Sequence, residues 1–247
     1  MGRVIRLDST GSTNTHAATV ADQLGHGDVV IARSQTAGRG QRGNSWEAEP
    51  GLNLTFSLML RPEGVRADEQ FLVSEAVALG VAEVLGRHLP GTEVSVKWPN
   101  DIYAGDRKLV GILIEHRYCG SRLGRTIVGI GINVNQTRFD PTLPNPVSMA
   151  LCTGRTFARE AVLERFADCC TARYAQLERG ERSLLQEEYR TRMYRLGETH
   201  PFRLPDGTLL RAAIQGVRPS GELILLHDDG SLREYLFREI EFVIGGR

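Results

Sequence analysis

The sequence lacks net charge: across its 247 residues, 30 basic side chains meet 30 acidic ones. That balance removes the global positive field that drives generic nucleic-acid binding, and leaves room only for a local basic patch. Long apolar runs are also missing. No stretch approaches the ~20 residues needed to cross a bilayer, and the opening MGRVIRLDSTGSTN carries no apolar core of a secretory signal. Cysteine is sparse. Cys119, Cys152, Cys169 and Cys170 form no C-x-x-C pair and no metal-like spacing with histidine, so they read as reduced thiols of a cytoplasmic protein. There is no internal repeat and no low-complexity segment.

What is present reads as a soluble α/β region followed by a small β region. VIRL (Val4 to Leu7) is a short apolar run, and the STNTHAATVADQL that follows predicts a helix capped by Ser12 or Thr13 and ended by Gly25 and Gly27. DVVIARS (Asp28 to Ser34) is a β-branched strand. LNLTFSLMLR (Leu52 to Arg61) alternates apolar residues on one face and predicts a half-buried strand. A helix is expected over Ala67 to Leu89, stopped by Pro90 and Gly91, then a strand at VSVKW (Val94 to Trp98). KLVGILIEH (Lys108 to His116) and RTIVGIGINVN (Arg125 to Asn135) predict two long strands joined by a turn around Gly120 to Gly124. Helical spacing returns over Arg159 to Arg179, with Cys169 and Cys170 on the apolar stripe, and over Ser183 to Met193. From about Thr199 the turn dipeptides Asp206-Gly207, Ser220-Gly221 and Asp229-Gly230 punctuate short strands, which predicts a small β-barrel.

The most pointed stretch is TAGRGQRGNSW, Thr36 to Trp46. Gly38, Gly40 and Gly43 fit the dinucleotide fingerprint, yet no helix follows to receive a pyrophosphate, because Pro50 and Gly51 lead into another strand. Gly38, Gly43 and Ser45 have P-loop spacing, but Asn44 stands where the lysine is required. Neither nucleotide motif holds. What remains is a loop whose glycines permit close backbone approach and whose Arg39 and Arg42 can fork onto phosphate or carboxylate; a basic surface hairpin is the alternative.

Two further stretches sharpen this. KWPND (Lys97 to Asp101) gathers a lysine, a tryptophan and polar groups at a strand end. RKLVGILIE (Arg107 to Glu115) opens an apolar strand with Lys108. A lysine at the mouth of a buried sheet costs desolvation unless an anion pairs with it; otherwise it snorkels to the surface.

Taken together, STN (Ser12 to Asn14), QTAGRGQRGNSW (Gln35 to Trp46), KWPND, RKLVGILIE and GIGINVN (Gly129 to Asn135) resemble the biotin protein ligase family, in its order and spacing. The resemblance covers Val4 to Asn135. It implies an α+β fold, a mixed sheet flanked by helices of class II synthetase-like type, with an SH3-like C-terminal β-barrel. The corresponding domains are residues 1–195, catalytic, and 196–247. It implies an enzyme that activates biotin with ATP as biotinyl-5′-AMP, with Mg²⁺ bridging phosphates, and passes it to a lysine of a biotin carboxyl carrier domain of a biotin-dependent carboxylase.

Carried over by motif position, Lys108, Arg39 and Arg42 are the expected catalytic cations. Ser12, Thr13, Asn14, Gln35, Gly38, Arg39, Gly40, Gln41, Lys108, Gly111 and Leu113 would surround biotin. Ser12, Thr13 and Gln35 fall at its ureido end, and Gly111 and Leu113 along its valeryl chain. Arg42, Trp46, Asn100 and Asn133 would line the ATP side. No protein metal cage is expected, although Asp101 is a candidate metal contact as well as a turn residue. The loop is expected to be mobile without ligand and to close over the adenylate. Gln41 departs from the second arginine of many relatives. The chain starts close to STN, which leaves no room for a DNA-binding helix-turn-helix, so neither DNA nor membrane is an expected partner. The rival readings are a lipoate or octanoate ligase and a non-catalytic biotin sensor.

Overall fold

The computed structural model describes residues 2–244. Strands β1 (Val4–Thr10), β2 (Val29–Gln35), β3 (Leu54–Leu60), β4 (Val94–Lys97), β5 (Asp101–Ala104), β6 (Arg107–Cys119) and β7 (Arg122–Ile132) form one sheet in the order β1-β2-β3-β7-β6-β5-β4. The β1–β2 pair is parallel and the remaining neighbours are antiparallel, so the sheet is mixed. Helices α1 (Thr13–Thr19), α2 (Phe71–His88), α3 (Met149–Thr153), α4 (Arg159–Glu178) and α5 (Arg182–Thr191) complete the first part. A second, antiparallel sheet follows: β8 (Thr199–Arg203), β9 (Leu209–Val217), β10 (Leu223–His227), β11 (Leu232–Tyr235) and β12 (Glu241–Phe242), in the order β11-β10-β9-β8-β12. The fold is α+β, as the family resemblance implies.

Helix α2 is the centre of the core. Leu72, Val73, Ala76, Val77, Leu79, Val81 and Leu85 are all buried, because the sheet covers one side and α4 and α5 cover another. On β3, Leu54, Phe56, Leu58 and Leu60 join this cluster, each contributing roughly 1.5–3 kcal/mol on burial. Gly80 lets α2 approach α4 closely; a Cβ there would lie 2.8 Å from the Cα of Cys170. A smaller cluster on the other face seats Ala17 of α1, with Ala21 and Leu24, over Val30, Met59 and Ile127.

Several expectations are corrected. Strand β3 is buried on both faces rather than one, since its Thr55 and Ser57 also lie under other structure. Helix α1 stops at Thr19 and gives way to a 3₁₀ turn, Ala21–Gln23, well before Gly25; Ser12 holds the N-cap position without a side-chain cap bond. Helix α2 starts at Phe71, after a separate 3₁₀ turn over Ala67–Glu69. Gly124 lies inside β7, so the hairpin turn is tighter than expected. Of the paired cysteines, Cys170 is buried and Cys169 only partly so. Strand β5 and helix α3 are too short to leave a periodic signal, and Asp101 is a strand residue, not a turn residue.

Candidate active site

The register of the sheet builds a floor almost free of side chains. Thr55 and Ser57 of β3 pair with Gly131 and Gly129 of β7, which pair in turn with Gly111 and Leu113 of β6. These residues share the face opposite α2. The space the glycines leave is occupied from above. A Cβ on Gly131 would lie 2.3 Å from Trp46 Cε2, one on Gly111 would lie 2.9 Å from Trp46 Cζ3, and one on Gly129 would lie 2.4 Å from Asn14 Oδ1. Glycine is required at these positions by close approach rather than by backbone angle.

Lys108 reaches this face through a bulge. Ile102 pairs with Val110, but Tyr103 pairs with Lys108, so Leu109 is an extra residue on β6. The bulge reverses the alternation and turns Lys108 to the side of Gly111 instead of into the core. Its Nζ lies 2.8 Å from Asp101 Oδ1 and 5.9 Å from the Trp46 ring centroid.

At the other end of the floor the polar residues form a closed network. Thr13 N donates to Gln35 Oε1 at 2.8 Å. Ser57 Oγ bridges Thr13 Oγ1 at 2.9 Å and Asn14 Oδ1 at 2.6 Å. Asn14 Nδ2 donates to Leu113 O at 3.1 Å and Glu115 Oε2 at 2.8 Å. Ser12, Thr13 and Asn14 are all buried, so this end of the cleft is polar, with hydrogen-bonding groups already fixed in place.

The glycine-rich segment crosses above as a short hairpin. Gly40 N donates to Asn44 O at 2.7 Å and Trp46 N to Gly38 O at 3.0 Å, while Gly43 turns the chain at φ 82°. Gly38 passes so close to Trp46 that a Cβ would meet the Trp46 carbonyl oxygen at 2.2 Å. Arg39 Nη2 lies 2.8 Å from Glu115 Oε1. The side chain of Arg42 lies outside the described residues. Gln41 Oε1 and Trp46 Nε1 are buried without a hydrogen-bond partner among the described residues, a polar acceptor and donor left facing the cleft.

The nucleotide-side candidates are held by backbone. Asn100 Nδ2 donates to the carbonyl of Ile112, and Asn133 Nδ2 to Val147 O at 3.0 Å, so both amides clamp the cleft wall. Ser12, Thr13, Asn14, Gln35, Arg39, Gly40, Gln41, Trp46, Asn100, Lys108, Gly111, Leu113 and Asn133 all line one cleft of about 700 Å³; Gly38 lines an adjoining opening behind the hairpin.

Further residues complete the cleft. The C-terminal part supplies some of the wall through Phe237 and Ile240, between β11 and β12, and Phe242 of β12. Trp98 ties it down by donating from Nε1 to Gly221 O at 3.0 Å. Lys97 also lines the cleft, its Nζ 4.5 Å from the Phe242 ring centroid. Glu115 anchors the loop. A compositional signal did mark the lysines: of the 30 Lys and Arg residues only Lys97 and Lys108 are lysine, and both line this cleft.

A glycine-bearing floor, a lysine turned onto it and a glycine-rich hairpin over it define an elongated cleft. The chain belongs to the Biotin/lipoate A/B protein ligase family, whose pattern matches residues 4–133. It is 34% identical over 225 residues to the biotin–[acetyl-CoA-carboxylase] ligase of Paracoccus denitrificans, covering 89% of this chain and 92% of that one. The Mycobacterium tuberculosis protein of the same name is 30% identical over 224 residues, 87% of this chain and 80% of its own. The biotin protein ligase of Aquifex aeolicus, solved in complex with biotin and ATP, shares the fold with a TM-score of 0.82 at 24% identity, over 99% of this chain and 100% of that chain.

Proposed function

We propose that this protein is an ATP-dependent biotin protein ligase. In the first step the biotin carboxylate attacks the α-phosphorus of ATP, the bond to the β-phosphate oxygen breaks, and pyrophosphate leaves biotinyl-5′-AMP. In the second, a lysine amine of a carboxyl carrier domain attacks the acyl carbon, AMP departs, and an amide forms with loss of a proton. The observation that carries this reading is Lys108 turned onto one end of a glycine-bearing floor whose other end holds Arg39 and the buried polar network, within a chain of this family. Two anions must meet in the first step, and fixed cations and donors at that point stabilise the transition state.

In this reading the buried Ser12, Thr13 and Gln35 end holds the ureido ring, and the floor beside Leu113 takes the valeryl chain. Gln41 and Trp46 present their unpartnered atoms to the adenylate, with Arg42 belonging to the same loop. Residues 1–195 form the catalytic unit, and 196–247 lend one wall to the nucleotide side. Mg²⁺ accompanying ATP would neutralise phosphate charge, and Asp101, one of the carboxylates lining the cleft, would be the residue placed to add a protein oxygen. The carrier is a carboxylase domain in the cytoplasm. No helix among the described residues is long and apolar enough to cross a membrane.

The test is transfer of labelled biotin to a carboxyl carrier domain with and without ATP, alongside pyrophosphate exchange driven by biotin, lipoate or octanoate. Exchange and transfer with biotin alone are expected. Exchange driven by lipoate or octanoate instead reassigns the substrate, and tight biotin binding without exchange leaves only a sensor.

A further inference from the structure

Gly111, Leu113 and Glu115 alternate along β6 and share the floor's face, so Glu115 closes its polar end. Both of its carboxylate oxygens are engaged: Oε1 by Arg39 Nη2 and Oε2 by Asn14 Nδ2, each at 2.8 Å. Asn14 is 2% exposed, and Ser57 and the Leu113 carbonyl fix the rest of its amide. A continuous polar chain therefore runs from Gln35 through Thr13, Ser57, Asn14 and Glu115 to Arg39 of the hairpin.

The Arg39 and Glu115 side chains are 49% and 37% exposed. An isolated pair at that exposure contributes little, largely because two long side chains must be ordered to make it. Here a buried amide already orders one partner, so the pair acts on the arginine alone. We propose that Glu115 is a positioning residue for the ligation reaction. It tethers the glycine-rich hairpin to the floor and fixes Arg39 at the polar end, so that the hairpin is set over the cleft before ligand arrives. Preorganisation of this kind strengthens binding by removing the ordering cost from the binding step. The inference rests on the biotin-ligase reading for what Arg39 receives, but the tether itself is independent of it.

Glu115→Gln keeps the shape and the acceptor for Asn14 while removing the charge; Glu115→Asp keeps the charge on a shorter arm. Hydrogen exchange of the segment 36–47 in the ligand-free full chain, biotin affinity by titration calorimetry and steady-state KM and kcat are measured for each. Glu115→Gln is expected to speed exchange in the hairpin and to raise Kd and KM for biotin about tenfold, with kcat within about twofold of wild type. Glu115→Asp should restore part of the loss. In an Arg39→Ala background, Glu115→Gln should add nothing further, since its only route of action is gone. Unchanged exchange and KM, additive effects with Arg39→Ala, or tighter biotin binding in Glu115→Gln would each overturn the role. A wild-type protein that binds no biotin sinks the functional reading instead, and the exchange result still decides the tether.

Discussion

The Lys108 ammonium stands 2.8 Å from Asp101 Oδ1 on the cleft face of the sheet, placed there by the one-residue bulge at Leu109. The carboxylate keeps the lysine aimed along the floor, and the bulge makes the aim possible. Lys108→Ala is expected to fold normally and to lose about 2.7–4 kcal/mol of transition-state stabilisation, a drop of roughly 10²–10³ in adenylate formation. Pyrophosphate exchange checks the rate and thermal unfolding checks the fold. Exchange at the wild-type rate in a folded variant would remove Lys108 from the mechanism.

Gly131→Ala places a methyl where Trp46 Cε2 already stands at 2.3 Å. The indole must leave the floor, at a cost of about 1–3 kcal/mol for overpacking. Trp46 and Trp98 are the only tryptophans in the sequence, so with Trp98→Phe as background the emission of Trp46 alone is read. A red shift with weakened ATP use is expected. An unshifted spectrum would mean that the floor tolerates a side chain.

Glu75 of α2 is buried, Oε2 has no partner among the described residues, and desolvation pushes its carboxyl up to about 8 from 4.5. The fold therefore binds a proton that the unfolded chain releases between those values, and stability falls as pH rises from about 4.5 to about 8, levelling off above. Glu75→Gln should remove this slope, gaining on the order of 2–4 kcal/mol at pH 8 and close to nothing at pH 4. Urea unfolding at the two pH values measures it. Parallel pH profiles for the two proteins would refute the assignment.

Gln41 sits in the hairpin with its Oε1 buried and unpartnered among the described residues. On the proposed reading Gln41→Arg brings a guanidinium to the adenylate, so release of biotinyl-5′-AMP should slow by about tenfold or more, as a charged hydrogen bond adds roughly 1.5–3 kcal/mol. Stopped-flow release of the adenylate tests this, and faster release counts against it.

Released adenylate acylates amines, and Lys97 and Lys108 are the only lysines this chain offers. One is paired with Asp101 and the other packs beside Phe242. Labelling of this chain's lysine side chains with biotin and ATP should therefore be near zero beside a lysine-rich bystander protein. Arg238→Lys puts an exposed amine at the opening behind the hairpin and should acquire biotin. Intact-mass spectrometry distinguishes the two proteins. Heavy labelling of the wild type would show that the two cleft lysines are not protected.

The sequence by itself determined the element types, the mixed α+β character and the motifs that fall around one cleft. These are local properties: alternation for strands, three-and-four spacing for helices such as α4, and glycine before turns. Tertiary structure decided the rest. The strand β5 and the reversal of Lys108 arise from pairing between strands, and the second face of β3 is buried because α1 packs over it; no local period records either. Gly111, Gly129 and Gly131 fall within motifs the sequence shows, but only register sets Gly111 and Gly131 beneath Trp46 and Gly129 beneath Asn14. The link between Arg39 and Glu115 spans 76 residues, and only the folded sheet brings those charges within hydrogen-bonding distance.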